Sequence, residues 1–166
     1  MRSNLSKFTM IVKPDCMSQG KGIFMTNCLD EIPNQEVHVV QEYLKDPYLI
    51  DDLKFDLRLY VLVLSCEPLK IFMYQDGIVR FATKKYQPLD CNSDRKELNN
   101  FLMHLTNYAV NKENKEFKMA ESVDDDTGHK RSLQMVLQRL KNDNQDTDKL
   151  MGEIKDIVIK PLLTCQ

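Results

Sequence analysis

The sequence predicts an α+β fold, an antiparallel sheet with helices. Three observations carry this reading. Successive short runs rich in apolar and β-branched residues extend from Phe8–Lys13 to Ile78–Thr83, joined by short polar links. One link is Gln75-Asp76-Gly77, and Asp-Gly between two apolar runs is a strong hairpin signal. After Gly128 the apolar period becomes helical, with Leu133, Val136, Leu137 and Leu140 at i, i+3, i+4 and i+7.

The elements follow in order. FTMIVK, residues 8–13, reads as a strand ending at Lys13, and Pro14 cannot extend a central strand. DCMSQGKG, residues 15–22, is a loop whose Gly20 and Gly22 flank Lys21, and the run Ile23–Met25 resumes a strand. A lysine at each end of a glycine loop suits a flap over phosphates, because glycine permits close backbone approach. A plain hairpin loop has the same pattern, and both readings stand. No Walker sequence is present. EVHVVQEYL, residues 36–44, is a further strand, in which His38 reads as a satisfied or exposed strand residue.

KFDLRLYVLVL, residues 54–64, is the central strand of this reading. At a period of two, Phe55, Leu57, Leu59, Val61 and Val63 share one apolar face. Lys54, Asp56 and Arg58 begin the other, which then turns apolar, so burial on both faces is expected at its C-terminal end. The charged stripe suits a cleft with a charged ligand and, equally, a Lys–Asp–Arg ladder on a solvated sheet. Leu69–Tyr74 and Ile78–Thr83 form the expected hairpin, which carries Arg80 and delivers Lys84 and Lys85.

Ser93 or Asp94 can cap a short helix through Asn100. Met103–Val110 is expected to be irregular and Asn111–Asp126 a loop, with Asp124–Asp126 a solvated acidic turn in preference to a metal site. His129, Lys130 and Arg131 crowd the start of the first long helix, where cations are unfavourable unless an anion is near. A second helix spans about Asp148–Ile159, with Leu150, Met151, Ile154, Ile157 and Val158 as its stripe and Pro161 as its limit.

Composition bounds the function. The 166 residues suit one domain or most of one, 42% hydrophobic and 29% charged. A net charge of -2 gives no global attraction to nucleic acid or anionic membrane, so neither is an expected partner. Cys16, Cys28, Cys66, Cys91 and Cys165 have no CxxC spacing, which fits a reducing, cytoplasmic compartment. No apolar run approaches the roughly 18 residues of a membrane span.

IVKPDCMSQGKGIFM, VVQEYL, LIDDLKFDLRLYVLVLS, GIVRFAT, MHLTNYAVNKEN and HKRSL occur in the order seen in tubulin-tyrosine-ligase-like proteins. Over nearly all of residues 8–163 the chain resembles that family, most of all its elongating polyglutamylases. The resemblance implies an ATP-grasp-like fold, of which residues 1–166 are one partial domain. It implies that Lys13, Gln19, Gly20, Gln41, Glu42, Tyr43, Leu44, Lys54, Asp56, Thr106 and Asn107 contact ATP, with Arg58 in the same signature. Gln19 also lies near the acceptor peptide, and Arg80, Tyr108, Ala109 and Lys130 line a site for free L-glutamate. The implied activity is ATP- and magnesium-dependent ligation of glutamate to glutamate side chains of acidic tubulin tails. Tubulin or microtubules are then the partners, and the cytoskeleton, a cilium or a basal body the location. A family ligase adding tyrosine or glycine is the alternative, as is a non-catalytic form that binds nucleotide or microtubules.

Two departures from the family shape these expectations. The family's magnesium ligands, an Asp and a later Glu-Val-Asn, have no counterpart, and the N-terminal lobe is missing, so this polypeptide is expected to be inactive or nearly so. Asp15-Cys16-Met17-Ser18 stands where relatives usually carry a glycine, so a stiffer flap is expected.

Overall fold

A computed structural model describes residues 5–89, 93–122 and 125–164. Asp90, Cys91, Asp124 and Cys165, which the sequence reading touched, lie outside them. The chain divides into two compact units, Met1–Asp56 with Arg80–Phe117, and Leu57–Val79 with Lys118–Gln166.

The first unit opens with β1 (Leu5–Pro14), β2 (Phe24–Cys28) and β3 (His38–Glu42), a sheet of order β2-β1-β3 with both pairings antiparallel. The strand, glycine loop and second strand expected over residues 8–25 are therefore a hairpin. β4 (Leu49–Ile50) pairs antiparallel with β5 (Leu53–Arg58). Three one-turn helices follow, α1 (Arg95–Leu98), α2 (Phe101–His104) and α3 (Tyr108–Asn111). Asp94 caps α1 as expected, in a capping box with Glu97. Met103–Val110, expected to be irregular, holds the end of α2 and most of α3. Asn111, 1% exposed, ties this stretch together. Its Oδ1 accepts from the Thr83 N–H at 3.0 Å, and its Nδ2 donates to the Leu105 carbonyl at 2.7 Å. Ile11, Met25, Tyr43, Leu98 and Met103 form part of this unit's core.

In the second unit β6 (Val61–Cys66) and β7 (Leu69–Met73) form a two-stranded antiparallel sheet. The strand expected over residues 54–64 is thus two strands in different sheets, broken at Leu59–Tyr60. Beside the break, an added Cβ at Gly77 would stand 2.6 Å from the Arg58 carbonyl oxygen. The Gly77 backbone occupies the space beside the end of β5. The expected double burial is also corrected, because β6 is exposed, with Leu62 at 59% and Leu64 at 62%.

The Asp-Gly hairpin does not form. β7 pairs with β6, whereas β8 (Ile78–Phe81) belongs to a four-stranded sheet of order β4-β5-β8-β9, with β9 being Lys130–Ser132. The turn is spent on α4 (Leu133–Asn142) instead. Asp76 Oδ1 accepts from the Gly77 N–H at 2.8 Å and from the Gln134 N–H at 3.3 Å. The Gly77 carbonyl accepts from the Leu133 N–H at 3.0 Å. Two otherwise unpaired donors of the first helical turn are satisfied from the turn.

α4 is capped by Ser132, and Leu133, Val136 and Leu140 form its buried stripe, as the spacing predicts. Lys130 and Arg131 lie in β9, directly before the Ser132 cap of α4. The His129 ring accepts from the Lys118 N–H at 3.0 Å, and Arg131 Nε donates to the Gly128 carbonyl at 2.9 Å. An anion at a helix terminus is therefore not needed to explain these two. α5 (Thr147–Leu163) runs through Pro161, which the sequence reading placed beyond its end. Pro161 lacks the N–H that would bond the Ile157 carbonyl, so one intrahelical hydrogen bond is missing near the end of α5. Ile157, assigned to the packed stripe, is 67% exposed. Asp125 closes a turn, accepting from the Glu121 and Thr127 N–H groups, which hold its carboxyl at about 2.

Candidate functional site

The candidate site lies in the first unit. Lys13, near the end of β1, is opposite Val39 of β3, and its Nζ donates to Gln41 Oε1 at 2.9 Å. The loop that follows has three left-handed residues, Gln19 (φ 62°), Gly20 (φ 85°) and Gly22 (φ 71°). Glycine adopts that region without the steric penalty a side chain adds. An added Cβ at Gly20 would also stand 3.1 Å from Asn107 Cγ and from Val110 Cγ2. The loop thus packs against the Thr106-Asn107 segment, and two stretches expected to meet one ligand are neighbours. Gln19 itself is exposed.

Gln41, Glu42 and Leu44 are exposed, whereas Tyr43 is buried. The Tyr43 N–H is committed to the Thr9 carbonyl at 2.9 Å, and its hydroxyl faces the next group. Lys54 Nζ, on β5, donates to the Tyr43 hydroxyl and to the His104 carbonyl, each at 3.0 Å, and lies 4.5 Å from the Tyr43 ring centroid. The Tyr43 hydroxyl also bonds His104 Nδ1 at 3.1 Å. Tyr43 and Tyr86 meet the His104 ring edge-on, each at 5.5 Å between centroids.

This environment governs protonation. Burial pulls the Lys54 ammonium down to about 8, Asp56 opposes the shift, and the Lys13 charge reinforces it. Burial also pulls His104 down to about 4, helped by the Lys54 charge, so the ring is neutral at physiological pH. Burial raises Tyr43 and Tyr86, which stay protonated.

Asp56, expected on the nucleotide, and Arg80, expected on the glutamate, meet each other. Arg80 Nε donates to Asp56 Oδ1 at 3.0 Å and Nη2 donates to Oδ2, a two-point fork. Arg80→Ala leaves a half-buried carboxylate without that fork, and a loss of about 1–3 kcal/mol is expected. Urea melts of Arg80→Ala, Asp56→Ala and the double variant check it. Strict additivity would show that the two side chains are not coupled. Tyr108 stacks edge-on with Phe117 at 5.7 Å, and Ala109 is half-buried in α3. Arg58 is exposed at the end of β5, and Lys130 is half-buried in β9; both belong to the second unit.

Sequence reasoning missed His104, Tyr86 and Asn111. Nothing local marks them. A histidine and an asparagine inside MHLTNYAVN are the only hint, as polar residues within an otherwise apolar stretch. Among the described residues, no group of three or more His, Cys, Asp or Glu could hold a metal ion. The residues present therefore do not by themselves fit magnesium, and no step is assigned to it.

Lys13, Lys54 and a left-handed glycine loop all lie in the first unit, and comparison with known proteins gives the family. The model of the tubulin-tyrosine ligase family matches residues 2–166, and the chain belongs to that family. It is 46% identical over 166 residues to a probable beta-tubulin polyglutamylase of Tetrahymena thermophila, covering 99% of this chain and 14% of that protein. It is 42% identical over 158 residues to the mouse tubulin polyglutamylase TTLL7, covering 95% and 17%. It is 44% identical over 156 residues to mouse tubulin polyglutamylase TTLL13, covering 94% and 18%. The chain thus spans less than a fifth of the length of these relatives.

Proposed function

We propose that this chain is the nucleotide- and glutamate-facing part of an ATP-grasp ligase that adds glutamate to glutamate side chains of tubulin tails. One observation carries the nucleotide part. Lys13 and Lys54 lie in one unit with the left-handed Gln19–Gly20 loop, and the Lys13 charge repels that of Lys54. A polyphosphate relieves that repulsion. In this reading Gln19, Gly20, Thr106 and Asn107 complete the phosphate cradle, and Gln41, Glu42, Tyr43 and Leu44 border the adenine. Arg80, Tyr108, Ala109 and Lys130 receive the free glutamate, and Gln19 also meets the acceptor peptide. The names of the relatives support glutamate as the added residue and tubulin as the acceptor.

The chemistry is ligation. A tail carboxylate oxygen takes the γ-phosphoryl group of ATP and ADP leaves. The glutamate amine then attacks the activated carbonyl, phosphate leaves, and the nitrogen loses a proton as the amide forms. Positioning and charge neutralisation supply the catalysis, with Lys13 and Lys54 on the phosphates and Arg80 and Lys130 on the glutamate carboxylates. A site built for an acidic amino acid needs more cationic groups than one for tyrosine or glycine. No helix among the described residues is long and apolar enough to cross a membrane. In this reading the tubulin acceptor points to the cytoskeleton, with a cilium or basal body as one setting for it.

Labelled glutamate, tyrosine and glycine, each supplied to the chain with tubulin and magnesium-ATP, test the reading. Little incorporation is expected of this chain, and among the three amino acids glutamate alone is expected. Incorporation of tyrosine or glycine instead would reassign the amino acid. Nucleotide binding with no incorporation of any of the three would make the chain a binding module.

A further inference from the structure

We propose that Tyr43 and His104 are positioning residues for Lys54: the Tyr43 hydroxyl and the His104 carbonyl hold its ammonium at two points, and the His104 ring holds the hydroxyl. The inference rests on the nucleotide reading above and deepens it. An ammonium has three donors. Two are taken by neutral oxygens of this chain, at 3.0 Å each, which leaves the third for a phosphate oxygen. Four rotatable bonds otherwise let a lysine head wander, and a head already fixed loses less entropy on binding.

The neutrality of the mount matters. A carboxylate in the place of Tyr43 would compete with the phosphate for the cation. A protonated histidine would repel it. The buried ring, 1% exposed, stays neutral, and its Nε2 has no hydrogen-bond partner. An apolar ring of similar size would avoid that cost. The contact His104 does make, from Nδ1 to the Tyr43 hydroxyl, is the polar service the imidazole provides. The other groups acting on Lys54 are Asp56 on its own strand and Lys13 on β1, with Arg80 reaching it only through Asp56. Tyr86 meets the His104 ring edge-on, also interacts with the Tyr43 hydroxyl, and donates its own hydroxyl to the Lys45 carbonyl at 2.7 Å.

The test is NMR titration of the lysine ammonium groups in the 166-residue chain, wild type and Tyr43→Phe. The phenylalanine keeps the ring and removes only the hydroxyl. Loss of a hydrogen bond to the charged form is expected to lower the Lys54 midpoint by about one pH unit. Magnesium-ATP binding at pH 8 should weaken severalfold. An unchanged midpoint overturns the proposal. A second measurement needs no variant: the wild-type Lys54 ammonium should be far more ordered than that of exposed Lys84. Equal mobility also overturns it. If the midpoint falls in Tyr43→Phe but the wild type binds no nucleotide, the mount stands and the nucleotide reading fails.

Discussion

Acidification from pH 7 to pH 4 is expected to cost the fold about 3 kcal/mol through His104 alone. The ring titrates near 4 in the folded chain, and near 6.5 when exposed by unfolding. Between those values the unfolded state binds a proton that the folded state refuses. Stability is therefore intact above about 6.5 and falls as pH drops towards 4. The cause is burial, and the Lys54 cation adds to it. Against a total of about 5–15 kcal/mol for a typical domain, this loss is large. Urea melts at several pH values, compared between wild type and His104→Phe, isolate it. Carboxylates contribute an acid slope to both proteins, so the difference between them belongs to His104. Parallel curves would show that the ring accepts a proton in place, by local opening or by water entry.

Lys54→Ala is expected to abolish the stabilisation that magnesium-ATP confers, which at 100 times the dissociation constant amounts to about 2.7 kcal/mol. On the proposed nucleotide reading, removal of Lys54 leaves Lys13 alone for the phosphates, and it leaves the Tyr43 hydroxyl without its donor. Wild-type behaviour at high pH gives a second signature. The folded midpoint near 8 lies below the unfolded value of 10.5, so the unfolded state holds the proton more tightly. The stability of the empty chain should rise from about pH 8 towards 10.5. Over the same interval the nucleotide-induced shift should fade, because the ammonium that meets the phosphates is being lost. These opposite trends distinguish a binding lysine from a merely buried one. Thermal melts with and without magnesium-ATP at pH 7, 8 and 9 read both. A nucleotide shift that persists undiminished at pH 9, or in Lys54→Ala, would remove Lys54 from the site.

Much of the local structure was legible in the residues. The hairpin of β1 and β2 with its glycine loop, the Asp94–Glu97 cap of α1 and the buried stripe of α4 each depend on side chains a few positions apart. Capping and amphipathic spacing act over that range, so the sequence displays them. The motifs that carry the family were equally plain, and residues 2–166 match it.

Tertiary packing decided what local signals could not. Asp76 and Gly77 have the composition of a hairpin turn, yet they serve the start of α4, some 58 positions away. Gly77 is needed for its missing Cβ beside the Arg58 carbonyl. Asp56 and Arg80, each readable as a ligand group, become one another's partners across 24 positions. His104 looks unremarkable in MHLTNYAV, and burial, with the Lys54 charge beside it, keeps its ring neutral. Strand pairing, charge pairing and desolvation depend on groups distant in sequence, and their energies exist only once the chain has closed the intervening loops.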